Sequence, residues 1–116
     1  MTTDQQRKIL EAAAKSCGFK KWRVLTRGLF QVSNNENWNE AFAKWTGWNP
    51  LTASADCAEM CAELEIDWLN NWESVVAKQS QEVWVRASIK DHDNSRLKAW
   101  MFAATMCAAR IRGYEE

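Results

Sequence analysis

Apolar residues recur along this chain at two periods, and each change of period marks an element. From about Asp4 to Cys17 the spacing is helical: Leu10, Ala13, Ala14 and Cys17, with Ile9 beside them, share one side, while Arg7, Lys8, Glu11 and Lys15 point elsewhere. Thr3 with Gln6 three positions later matches a capping box, and Gly18 stands where a left-handed residue stops a helix. KKWRVLTRGLFQVS, residues 20–33, then alternates at period two on either side of Gly28 and predicts two strands, or one strand bent at a bulge. In the loop-rich stretch 33–50, Trp38, Phe42 and Trp45 fall at i, i+4 and i+7, the spacing of a short helix.

A second helix is expected after Asn49-Pro50, which favours extended backbone, with Thr52 or Ser54 as its cap. Cys57, Met60, Cys61 and Leu64 form its inner face, and Asp56, Glu59 and Glu63 lie opposite. EIDWLNN (65–71) reads as a short strand or turn, and ESVVAKQ (73–79) and EVWVRASIK (82–90) as strands joined by a polar turn around Gln79 to Gln81. The last of these alternates strictly: Val83, Val85, Ala87 and Ile89 face the core, and Trp84, Arg86, Ser88 and Lys90 face away. After the turn DHDNS, Ser95 or Asn94 caps a final helix that runs to about Arg112, before Gly113.

That helix is apolar nearly all round, since AWMFAATMCAA (99–109) has Thr105 as its one polar residue. Eleven residues fall well short of the roughly 20 that cross a bilayer, so burial against the sheet and a second body is expected. The second body is either another helix or another copy of the chain, which would make a homodimer through the C-terminal helix. The elements together predict an α+β fold, an antiparallel sheet of three to five strands with helices on its faces.

Composition narrows the class. A length of 116 residues, 47% of them hydrophobic and 26% charged, suits one ordinary core, so residues 1–116 are expected to form a single domain. The polar opening TTDQQRK does not read as a secretory signal, which favours a cytosolic setting with reduced thiols at Cys17, Cys57, Cys61 and Cys107. Net charge is zero but unevenly spread: seven bases against Asp4 and Glu11 in residues 1–30 give +5. Residues 31–75 hold eight acids against Lys44, giving −7, and the remainder holds seven bases and five acids, giving +2.

Candidate chemistry is sparse. Cys57 and Cys61 share a helix face, but a tetrahedral metal site needs two further ligands, and the sole histidine is His92 in the DHDNS turn, so no metal site is expected. DHDNS fails as a calcium loop, having Arg96 and Phe102 where glycine and glutamate belong. No nucleophile elbow, HExxH or phosphate-binding glycine loop is present, and neither an enzyme nor a cofactor is expected. In FKKWRVLTRG, Lys20, Lys21, Trp22, Arg23 and Arg27 interleave bases with an aromatic as single-strand nucleic-acid binders do; the competing reading is a strand with Trp22 packed inside.

Eight tryptophans are more than a small core buries completely. Trp68, Trp72 and Trp100 lie in or beside apolar segments and are expected in the core. Trp45, Trp48 and Trp84 are expected to be partly exposed, and with Arg86 and Lys90 they form the candidate binding residues, because Trp and Arg dominate contact hot spots.

The helix ending in CGF, the lead-in WNPLTASADCAEM, the strand EVWVRASI, the helix AWMFAATMCAARIRG and the tail GYEE together resemble the small phage-encoded proteins grouped as NinX-like or phage ABA sandwich domains. The resemblance covers most of residues 47–116. It implies a helix–sheet–helix layered domain acting in the cytoplasm of an infected bacterium, and carries over no catalytic residue. Residues and resemblance together lead us to expect an accessory protein without catalytic activity. Its expected target is a host protein or small host ligand, engaged against an antiviral defence, with nucleic-acid binding through the basic N-terminal third as the alternative.

Overall fold

The computed structural model describes residues 2–25, 29–33, 45–80 and 82–113. Three helices, α1 (Thr3–Ser16), α2 (Ser54–Leu64) and α3 (Arg96–Ile111), accompany two three-stranded antiparallel sheets. The first sheet is β1 (Lys21–Val24), β2 (Phe30–Ser33) and β3 (Thr46–Gly47) in chain order. The second is the meander β4 (Asp67–Asn70), β5 (Ser74–Gln79) and β6 (Val83–Ser88). The α+β class is therefore as expected, with the strands divided between two sheets. The short helix expected from Trp38, Phe42 and Trp45 falls largely on residues outside those described, and Trp45 itself leads directly into β3.

α3 organises the molecule. Its Ala99, Met101 and every residue from Ala103 to Ala109 are buried, and it packs on β5 and β6 on one side and on α1 and α2 on the others. The second body expected against this helix thus comes from the same chain. What α3 leaves outside these contacts is the exposed Leu97 with the partly buried Trp100 and Phe102, and nothing in the fold speaks for a homodimer through it. Small side chains make the close approach possible: Ala13 and Ala14 of α1 and Ala103, Ala104 and Ala108 of α3 are all fully enclosed. The Ser16 hydroxyl ties the end of α1 to α3 by donating to the Ala108 carbonyl at 2.6 Å. Thr105, the polar residue within this apolar run, donates to the Met101 carbonyl at 2.6 Å and so leaves no hydroxyl unpaired.

Pairing in the meander fixes which residues face inward. Val75 lies opposite Ala87 and Ala77 opposite Val85, and all four are buried against α3. Val76 opposite Arg86 and Lys78 opposite Trp84 fall on the other face, with Leu69 beside Val76. The first sheet follows the same rule, with Trp22 opposite Val32 and Val24 opposite Phe30 on one side.

Two caps differ from expectation. The box on α1 uses Thr2 and Gln5: the Thr2 hydroxyl accepts from the Gln5 N–H at 3.1 Å, and the Gln5 side chain accepts from the Thr2 N–H at 2.9 Å. The doubled pairs Thr2-Thr3 and Gln5-Gln6 offer the same motif in two registers, so spacing could not separate them. α2 begins after Ala53, with no side-chain cap. Asp56 reaches back instead, accepting from the Asn49 N–H at 2.9 Å, while the Asn49 side chain accepts from the Leu51 N–H at 3.1 Å. At three joints a residue other than glycine takes left-handed backbone, Glu65, Ser80 and the adjacent Asp93 and Asn94, with φ between 53° and 57°.

If the α1–α3 contact depends on small side chains, Ala108→Leu costs about 1–3 kcal/mol of stability through overpacking. Urea unfolding followed by circular dichroism measures it, and an unchanged midpoint contradicts the tight contact.

Candidate functional site

Among the described residues no helix or strand packs on the outer face of the second sheet. β6 carries Trp84 (48% exposed) and Arg86 there, and β4 contributes Leu69 (52% exposed). The Lys78 ammonium lies 5.2 Å from the centre of the Trp84 ring. Arg86 is held by its Nε, which donates to the Ser74 hydroxyl at 3.0 Å, and that hydroxyl donates to the Asn71 side chain at 3.1 Å. The same Asn71 oxygen accepts from the Glu73 and Ser74 N–H groups at 2.9 and 2.8 Å, closing the β4–β5 turn. From α3, Arg96 donates to the Asn71 carbonyl at 2.8 Å and so braces the turn from behind. At its tip stands Trp72, 85% exposed. A large ring is thus displayed in water on a turn fixed by hydrogen bonds on two sides.

Several expected positions need correction. Trp72 and Trp68 are not core residues: Trp68 is 46% exposed on the edge strand β4 and packs on Trp100 with ring centres 5.3 Å apart. Trp100 is half-buried against the core, as expected. Trp48, expected to be partly exposed, is only 6% exposed, because Phe30 and Phe19 close around it at 6.1 and 5.4 Å. Lys90 is exposed, but it sits in the 3-10 turn Ile89–His92 beyond the end of β6, off the strand face shared by Trp84 and Arg86. Trp45 and Trp48 flank β3 in the first sheet, so the five candidate binding residues divide between two surfaces.

The basic stretch is largely engaged within the chain. Arg23 stacks 4.2 Å over the centre of the Trp45 ring and donates through Nε to the Gln31 side chain at 2.8 Å. Trp22 is half-buried against the core, with the Lys15 ammonium 5.5 Å from its ring centre. Lys20 and Lys21 also engage neighbours. Arg27 lies outside the described residues. The ring and the guanidinium that a nucleotide would need are therefore committed to the fold, and the reading with Trp22 packed inside describes the strand better.

Cys57 and Cys61 touch on α2, and Cys61 is near enough to Cys17 after α1 and to Cys107 on α3 to act on both electrostatically. Cys57, Cys61 and Cys107 are buried and Cys17 is partly so, none of them in a disulfide. Burial, reinforced by Glu63 and the neighbouring Cys61, pushes the Cys17 thiol up to about 12, and burial raises Cys107 to about 11. Cys57 is also raised, through its contact with Cys61 and its enclosure. Among the described residues no group of three or more His, Cys, Asp or Glu side chains is arranged to hold a metal ion. Nor is any helix among them long and apolar enough to cross a membrane.

Comparison with protein-family models, with curated proteins and with solved structures finds no match to this chain.

The raised thiols set a direction for alkaline stability. Between the unfolded value near 9 and the folded values of about 11 and 12, the native state holds more protons than the unfolded one. Their contribution is thus complete below about pH 9 and is lost progressively as pH climbs through the folded values. Urea midpoints measured from about pH 8 to pH 11 should fall, and Cys17→Ser should make that fall shallower; an identical slope in the variant refutes the assignment.

Proposed function

We propose that this chain is a recognition protein without catalytic activity, which docks a partner protein on the outer face of its second sheet. Trp84 and Arg86 are the central contacts, with Leu69 and Trp72 at the margin. The observation that carries this reading is the pairing of two exposed tryptophans with a guanidinium anchored by Ser74 and Asn71. Exposed tryptophan costs free energy in water that a contact recovers, and a braced turn loses little further entropy when that contact forms. Trp and Arg are also the residue types over-represented among contacts that dominate binding energy.

The resemblance to small phage proteins supplies the biological setting. In that setting the partner is a host protein of the infected bacterium, and a component of its antiviral defence is the target class the setting favours. Binding of nucleic acid by the N-terminal third draws less support, because Trp22 and Arg23 are engaged intramolecularly.

The test compares the wild-type chain with Trp84→Ala/Arg86→Ala and with Trp72→Ala in affinity capture from infected cells. The double variant should keep its circular dichroism spectrum and lose at least about 2 kcal/mol of affinity for the captured polypeptide, with a smaller loss for Trp72→Ala. A polypeptide retained equally by all three chains removes this face from the interaction. A salt-sensitive gel shift abolished by Lys20→Ala/Lys21→Ala, with no captured polypeptide, would favour nucleic acid instead.

A further inference from the structure

A second surface, independent of the sheet face, has the character of a ligand pocket. Between the first sheet and α2 lies a cleft of ≈ 600 Å³, within the range of small-molecule sites. Phe19, Trp48 and Met60 supply its apolar wall, the two rings meeting edge to face at 66° with centres 5.4 Å apart. Along the other side run Asp56, Glu59 and Glu63 of α2. Among the described lining residues there is no lysine, arginine or histidine.

The two sides of the cleft select the same kind of occupant. Aromatic rings attract cations through their negative faces, and carboxylates attract them by charge. Asp56 is partly neutralised by the Asn49 N–H, whereas Glu59 and Glu63 enter no ion pair among the described residues. The negative field reaches the cleft wall, where Glu63 is one of the groups holding Cys17 in its neutral form. A bare metal ion suits the cleft poorly, since its carboxylates do not converge as ligands. An apolar stem ending in a positive group satisfies both the rings and the carboxylates.

We propose that this cleft binds an organic cation with an apolar stem, an alkylammonium or alkylguanidinium group, whether free or borne by a lysine or arginine side chain of a polypeptide. The stem lies along Phe19, Trp48 and Met60, and the charged head faces Glu59 and Glu63. The site rests on none of the residues assigned to partner docking, so either proposal can fail alone.

Pentylguanidinium, its neutral counterpart pentylurea and a blocked Gly-Arg-Gly peptide are the ligands to titrate, followed by calorimetry and by the backbone amide signals of Thr46 and Gly47. Pentylguanidinium should bind saturably and more weakly at high salt, with shifts at both amides, and pentylurea should not. Glu59→Gln/Glu63→Gln removes two exposed charges and should weaken binding roughly tenfold while leaving the fold intact. Thr46 offers a second variant: it is exposed, lines the cleft and shares its strand face with Trp48, so Thr46→Phe should obstruct the cleft. Trp84→Ala/Arg86→Ala should bind pentylguanidinium as the wild type does. Tighter binding of the peptide than of pentylguanidinium assigns the cation to a polypeptide, and the reverse order to a small molecule. Equal affinity for pentylurea, no binding of either cation, or affinity unchanged in both cleft variants overturns the proposal.

Discussion

The burial of α3 is the constraint from which the rest of the structure follows. An apolar helix must be covered on every side, and this chain covers it with one face of the second sheet, with α1 and with α2. Alanines at the helix contacts let the backbones approach closely, so a large share of the stabilisation comes from many small dispersion contacts. Once α3 has taken the inner face of the meander, the outer face is left to water. The same packing brings the start of α3 beside the β4–β5 turn, where Arg96 reaches Asn71.

Regular periodicity made much of this legible. The alternation in β6, the stripe on α2 and the apolar run of α3 each reported a real environment, because one-sided or all-round burial leaves a direct trace in the order of residues. That trace weakens where burial depends on which elements end as neighbours. Trp68 and Trp72 sit in an apolar-looking stretch, but β4 is an edge strand and the turn after it projects outward, so Trp68 is covered only in part, by Trp100, and Trp72 hardly at all. Trp48, between turn-forming residues, looked like a surface position, and Phe19 from the end of α1 and Phe30 from β2 close over it. No local window contains those partners.

The candidate surfaces divide in the same way. Trp84 and Arg86 were visible as the polar-side phase of a strand. Leu69 and Trp72 join that surface only through the pairing of β4 with β5 and the turn between them. The cleft was less accessible still, since its aromatic wall and its acidic side come from segments far apart in the chain. The segmental charge imbalance hinted at it: the −7 excess of residues 31–75 includes the three carboxylates of α2 that line it.

The three joints that hold left-handed backbone without glycine leave a reserve in this molecule. Glu65 and Ser80 each sit about 1–2 kcal/mol above a glycine in the same geometry, and Asp93 and Asn94 by less, since their short polar side chains tolerate it. Glu65, Ser80, Asp93 and Asn94 lie outside the helix and strand cores, so relief of that tension would leave the packing around α3 as it is. Evolution, or an engineer, thus has an untouched margin of robustness at the hinges. Drawn upon, it would offset disruptive changes on the outer faces while those surfaces adapt to new targets.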